Sequence, residues 1–146
     1  MGLTTKLEGK KIYLDTNIFI YLLEDFQQYR LLMDEFISGL ENRKYSCFTS
    51  ELTLAELLVP AFKKGNSHII IKYKKILNDP QLVTLISTTQ DIYIHSASNR
   101  ANFNLKLPDA IHVATALSID SDIFLTNDKK IRTPKKIETI ILDDFL

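Results

Sequence analysis

Four acidic residues stand where a folding chain seldom leaves a carboxylate. Asp15 closes the apolar run KIYLDTN, Glu56 interrupts TLAELLV, Asp109 opens LPDAIHVATAL, and Asp128 follows IFLTN. Three of them have a local explanation. Asp15 suits the cap of a helix beginning near Asn17, and Asp109 suits the positive end of its helix, each worth about 0.5–2 kcal/mol. Asp128 in TNDKK suits a tight turn. Glu56 resists such an account, because Leu54, Ala55, Leu57, Leu58 and Val59 surround it and a buried, unpaired carboxylate costs several kcal/mol. If the four meet in one pocket, their mutual repulsion requires cations. Oxygen-only ligands select hard divalent ions such as magnesium or manganese, which suit chemistry on phosphate esters.

Other chemistries find less support. His112, one turn after Asp109, sits in an apolar helix and is expected to be a packed residue making one hydrogen bond. His68 and His95 have no neighbours that suggest a metal or a nucleophile. The chain has no GxSxG elbow and no GxxxxGK[ST] loop. Cys47 is the only cysteine, which excludes an internal disulfide, and its setting in KYSCFTS reads as a small core residue of a strand.

The elements that must position these residues follow from apolar periodicity and turn signals. KIYL at 11–14 reads as a buried strand, and IFIYLLED as a helix apolar almost all round, which must be covered on several sides. YRLLMDEFISGLEN is amphipathic. YSCFTS is a second strand, and Ser50 caps the helix ELTLAELLVPAFKKG, where Pro60 should kink or shorten the last turns. NSHIIIKYKKILNDP is a helix, LVTLIST at 82–88 a strand, and TQDIYIHSASNRANFN a helix with Ile92, Ile94 and Phe103 partly buried. LPDAIHVATALSI is a helix with Pro108 in its first turn, and IFLT and ETIILDDF complete about five strands. Strands alternating with helices predict a three-layer α/β/α domain around a central, mostly parallel sheet. Ligands bind such sheets beyond the carboxyl ends of the strands, where Asp15 and Asp128 would lie, approached by Glu56 and Asp109 from helices.

At 146 residues the chain is expected to form a single domain over 1–146, with 1–10 as an amino-terminal extension. Its composition, 45% hydrophobic and 25% charged, argues against disorder. MGLTTKLEGK has no apolar signal region and no run approaches the ~20 residues that cross a bilayer, so no membrane role and a cytoplasmic location are expected. The 18 basic and 18 acidic side chains balance, so any basic surface is local. One such stretch carries Lys63, Lys64, Lys72, Lys74 and Lys75; the other, KKIRTPKK at 129–136, begins beside Asp128 and nominates Lys129, Lys130 and Arg132 for phosphate contact.

The ordered set strand-D-T-N, T-L-A-E, L-P-D-A-I-H-V-A-T-A-L and L-T-N-D, spread over roughly 15–131, resembles the PIN-domain nucleases, especially the VapC-type toxins of toxin–antitoxin modules. The resemblance implies a metal-dependent endoribonuclease that uses Mg2+ or Mn2+ and leaves a 5'-phosphate and a 3'-hydroxyl. Asp15, Glu56, Asp109 and Asp128 would form its acidic, metal-holding pocket, and Asn17 and Thr126 would orient ligands. It also implies an RNA substrate, an antitoxin protein as partner and a homodimer, for which IFIYLL offers an apolar face. The family often has a further acid and an aromatic after the last Asp, where this chain has Lys130 and Ile131. Two other readings compete: a PIN-like RNA-binding or regulatory domain without activity, and an aspartyl-nucleophile phosphatase. The second generally needs an Asp where Asn17 stands.

Overall fold

A computed structural model describes residues 1–146. A short helix, α1 (Leu3–Leu7), precedes strand β1 (Lys11–Leu14), helices α2 (Thr16–Leu23) and α3 (Arg30–Glu41), and strand β2 (Ser46–Ser50). Helices α4 (Glu51–Lys63) and α5 (Ser67–Leu77), strand β3 (Thr84–Ile86), and helices α6 (Gln90–Phe103) and α7 (Leu107–Ser118) follow. Strands β4 (Ile123–Thr126) and β5 (Glu138–Ile141) close the chain.

The five strands are all parallel, in the order β3-β2-β1-β4-β5. Successive side chains of a strand point to opposite faces, and β1 and β4 are buried on both. Ile12, Leu14, Ile123 and Leu125 enter the larger core cluster with residues of α1, α2 and α3. Tyr13 and Phe124 face the other way, into a cluster with Ala110, Val113 and Ala116 of α7. Helices therefore cover both faces, giving the three layers that the sequence predicts. The chain runs from β1 outward to β3, then returns to β4 beside β1. That reversal is the switch point at which open parallel sheets leave a crevice for ligands.

The caps follow the sequence. The Ser50 side chain accepts from the Leu52 amide (3.0 Å) and Asn66 from the Ile69 amide (3.1 Å). In α2, Ile18 and Phe19 are buried, while Ile20, Tyr21, Leu22 and Leu23 are half-buried against the same core.

Several expectations are corrected. The first ten residues are not an appendage: Leu3 and Leu7 of α1 are fully buried in the main core. Pro60 lies inside its helix, which ends at Lys63, short of the Gly65 expected from the sequence; in the last turn the missing N–H leaves only one carbonyl without its partner. The third strand shrinks to three residues. In α6, Ile92 is buried but Ile94 is 58% exposed, and the inward face instead carries Ser96 and Asn99.

Candidate active site

Asp15 is the fixed point of the site. Its amide donates to the Leu125 carbonyl at 3.0 Å, extending the β1–β4 pairing by one residue. Both carboxylate oxygens are engaged: Oδ1 accepts from the Thr16 amide (2.8 Å) and Oδ2 from the Thr126 hydroxyl (2.6 Å). The Asn17 side-chain amide lies 3.5 Å from Asp15 Oδ2 and 3.4 Å from Thr126 Oγ1. The Asn17 carbonyl accepts from the Asn127 amide at 3.2 Å. Asp15 is only 6% exposed, and this web holds its carboxylate at one orientation. The helix-cap explanation of Asp15 is correct too, and it does not compete with a role in the pocket.

Glu56, from the second turn of α4, does have the partner its apolar neighbours demand. Its Oε1 accepts from Thr16 Oγ1 (2.8 Å) and pairs with His112 Nε2 (2.5 Å). Burial pushes the Glu56 carboxyl up, but the bond from His112, the attraction of that ring and the bond from Thr16 outweigh burial and hold it below its ordinary value. The same His112 Nε2 lies 4.0 Å from Asp15 Oδ1, so one ring nitrogen stands between the two acids.

Asp109 occupies the first turn of α7 and is partly buried. Burial, and then the charges of Asp15 and Asp128, push its carboxyl above the ordinary value; Glu56 adds to this and His112 opposes it. The four acids thus share one electrostatic neighbourhood, although they come from four separate segments. Asp128 also serves its turn: its Oδ1 accepts from the Lys130 amide (2.9 Å), and its own amide donates to Thr126 Oγ1 (2.9 Å). Lys129, Lys130 and Arg132 are exposed just beyond it, as are Lys63, Lys64, Lys72, Lys74 and Lys75 along α4 and α5.

The donor set suits a hard divalent cation: burial and the charges of the other three acids raise the proton affinity of Asp109, a repulsion that a cation relieves. No three of the acids and histidines converge to ion-binding distance as they stand. A large cleft lies elsewhere, at the amino ends of the strands beside Lys10, Lys11, Arg43 and Lys44.

His112 is more than a packed residue with one bond. It is 1% exposed, and both its ring nitrogens are engaged, Nδ1 with the Tyr13 hydroxyl at 2.6 Å. Tyr13, Thr16 and Asn127 also escape a reading of the sequence. Asn127 bonds the hydroxyls of Tyr21 (3.3 Å) and Tyr29 (3.0 Å) and the carboxylate of Asp143 (2.9 Å), tying the Asp128 loop to α2 and the carboxyl terminus. Its place inside L-T-N-D was the one available hint.

Comparison with known proteins bears on the family and the fold. A family model, the PIN domain, matches residues 12–137. No curated protein matches the chain significantly. Among solved structures, a toxin–antitoxin complex from Klebsiella pneumoniae is similar at 23% identity, over 90% of this chain and 97% of that one, with a TM-score of 0.66. VapBC-1 from nontypeable Haemophilus influenzae is similar at 22% identity (91% and 98% covered, TM-score 0.69). VapBC2 from Rickettsia felis, bound to a promoter DNA fragment, is similar at 15% identity (90% and 98% covered, TM-score 0.69). At these identities the three structures speak for the fold.

Proposed function

The chain belongs to the PIN-domain family, and on that premise we propose that it is a metal-dependent endoribonuclease, the toxin of a toxin–antitoxin pair. The observation that supports this reading is electrostatic: Asp15, which follows β1 beside the switch point of the sheet, acts with Asp128 and Glu56 to push the Asp109 carboxyl up, adding to burial. Asp15 and Asp109 would hold Mg2+ or Mn2+ directly, and Glu56 and Asp128 would complete the shell or help to hold a second ion. When bound, such an ion acidifies water and neutralises charge at a phosphate.

The protein's own residues supply the rest. Thr126, Asn17 and the Thr16 amide keep Asp15 from rotating away from the pocket. Lys129, Lys130 and Arg132 would bind the RNA backbone next to Asp128, since cations that neutralise phosphates provide most non-specific affinity for nucleic acid. An antitoxin and a second copy of this chain are the partners proposed. Val59 and Phe62 of α4 and Ile71 of α5 are 52%, 64% and 65% exposed and give either one apolar surface. The Klebsiella assembly described as a toxin–antitoxin complex supports the first of them.

The test is cleavage of a short single-stranded RNA by purified protein with Mn2+ or Mg2+. Cleavage should stop with EDTA, and both Asp15→Asn and Asp109→Asn should fall to the metal-free level. Full activity in either variant, or activity indifferent to chelation, refutes the assignment.

A further inference from the structure

Behind the acids lies a buried polar chain that the roles assigned so far do not use. The Ser50 amide, at the junction of β2 and α4, donates to the Tyr13 hydroxyl at 3.1 Å. That hydroxyl meets His112 Nδ1 at 2.6 Å, and His112 Nε2 meets Glu56 Oε1 at 2.5 Å. Tyr13 and His112 are 0% and 1% exposed. The tyrosine ring is stacked on Phe124 (centroids 5.1 Å apart, planes at 20°) and meets the imidazole edge-on (5.8 Å, 64°). Neither ring has room to turn.

The direction of each hydrogen bond in this chain follows from proton accounting. Ser50 can only donate through its amide, so the Tyr13 oxygen accepts there. The phenol proton then needs an acceptor, since a buried donor left unpaired costs about 1–3 kcal/mol, and His112 Nδ1 is the only acceptor bonded to it. Thr49 also lies beside the Tyr13 hydroxyl, but its own hydroxyl donates to the Leu14 carbonyl at 2.9 Å and meets Thr53 at 2.7 Å. An Nδ1 that accepts leaves the ring proton on Nε2, aimed at Glu56.

We propose that His112 is a positioning residue for Glu56: Tyr13 fixes the imidazole as its Nε2–H tautomer, and that N–H holds the Glu56 carboxylate at the pocket beside Asp15. The arrangement is the one metal sites use for their ligands, in which a hydrogen bond from behind sets a donor's orientation, here with the carboxylate as the group held. It rests on the reading of Glu56 as part of a cation-holding set, and it adds why an acid on an apolar helix stays aimed there. Thr16 Oγ1, 2.8 Å from Glu56 Oε1 and 3.4 Å from His112 Nε2, braces the same oxygen from the α2 side. Both bonds fall on Oε1, which leaves Oε2 without a protein partner.

Two substitutions separate this role from packing. The amide nitrogen of Gln reaches the place of Nε2, so His112→Gln keeps the donor to Glu56; Asn reaches only the place of Nδ1, so His112→Asn keeps a partner for Tyr13 and loses Glu56. Mn2+ affinity, measured by calorimetry without RNA, should stay within a few-fold of the parent in His112→Gln and fall about 10- to 100-fold in His112→Asn. A role in packing, or in satisfying Tyr13, predicts the reverse order, and that order overturns the proposal. In a Glu56→Gln background the difference between the two should vanish; if it persists, Glu56 is not the target. Long-range proton–nitrogen NMR on the unsubstituted protein reads the tautomer directly, with exposed His68 and His95 as internal references. It should show a protonated Nε2 and a bare Nδ1 on His112, lost in Tyr13→Phe; a ring with Nδ1 protonated overturns the proposal. If the protein binds no Mn2+, the NMR result decides alone. If it binds Mn2+ with the expected order yet cuts no RNA, the nuclease reading fails and this proposal stands.

Discussion

At the scale of single residues, structural and chemical roles coincide instead of excluding each other. Asp15 caps α2 and also heads the pocket, and Asp128 closes its own turn while facing Asp109. That overlap allows charge and fold to be tested apart. Asp128→Asn retains an Oδ1 that accepts from the Lys130 amide, so its urea midpoint should stay close to the parent while RNA cleavage drops. Asp128→Ala also loses the turn bond and should melt lower, by about 1 kcal/mol. Equal cleavage in Asp128→Asn and the parent would remove Asp128 from the site. The four acids stand out in the sequence because each closes, interrupts, opens or follows an apolar run. The histidine behind them could not: its partners Tyr13 and Glu56 lie 99 and 56 residues away along the chain, and only folding brings them to one ring.

At the scale of elements, strands and caps were readable wherever a local signal exists: short continuous apolar runs in KIYL and IFLT, Ser50 before α4, Asn66 before α5. Errors fall where tertiary packing chose among equals. The pattern of α6 is weakly one-sided, and Ile94 lost its place inside to Ser96, whose hydroxyl is satisfied by the Ile92 carbonyl at 2.7 Å. In α1 the i, i+4 pair of Leu3 and Leu7 was the signal, too short to stand out. Because both are fully buried, Leu7→Ala should cost about 2–5 kcal/mol in urea unfolding. A cost under 1 kcal/mol would mean that α1 is not part of the cooperative core. Gly39, in α3, tests close packing in the opposite sense. Alanine in a helix ordinarily stabilises by up to about 1 kcal/mol over glycine. Here a Cβ would lie 2.3 Å from the Tyr45 hydroxyl and 2.6 Å from its ring. That hydroxyl donates to the Phe36 carbonyl at 2.5 Å, and the ring stacks on Phe36. Gly39→Ala should therefore destabilise, by about 1–3 kcal/mol, and a raised urea midpoint would show that Tyr45 yields freely.

At the scale of the whole molecule, balanced charge is the governing fact. With 18 basic and 18 acidic side chains there is no global field to draw in a polyanion, and the acids of the site repel one locally. On the proposed reading, any productive approach of RNA must therefore depend on a few cations close to those acids. Lys129, Lys130 and Arg132, exposed on the segment that leaves Asp128, are placed to offset the repulsion for a phosphate arriving at the pocket. Each phosphate contact contributes about 0.7 to the slope of log affinity against log salt for a single strand. In Lys129→Glu/Lys130→Glu the slope for binding a short single-stranded RNA should fall by about 1.4, with KM raised most at low salt. The turnover rate at saturating RNA should change little, because neither ammonium belongs to the acidic set. An unchanged slope would move the RNA path off this segment, towards the lysines of α4 and α5, whose Lys64 shares a groove with Glu56; reversing Lys64 should then flatten the slope instead.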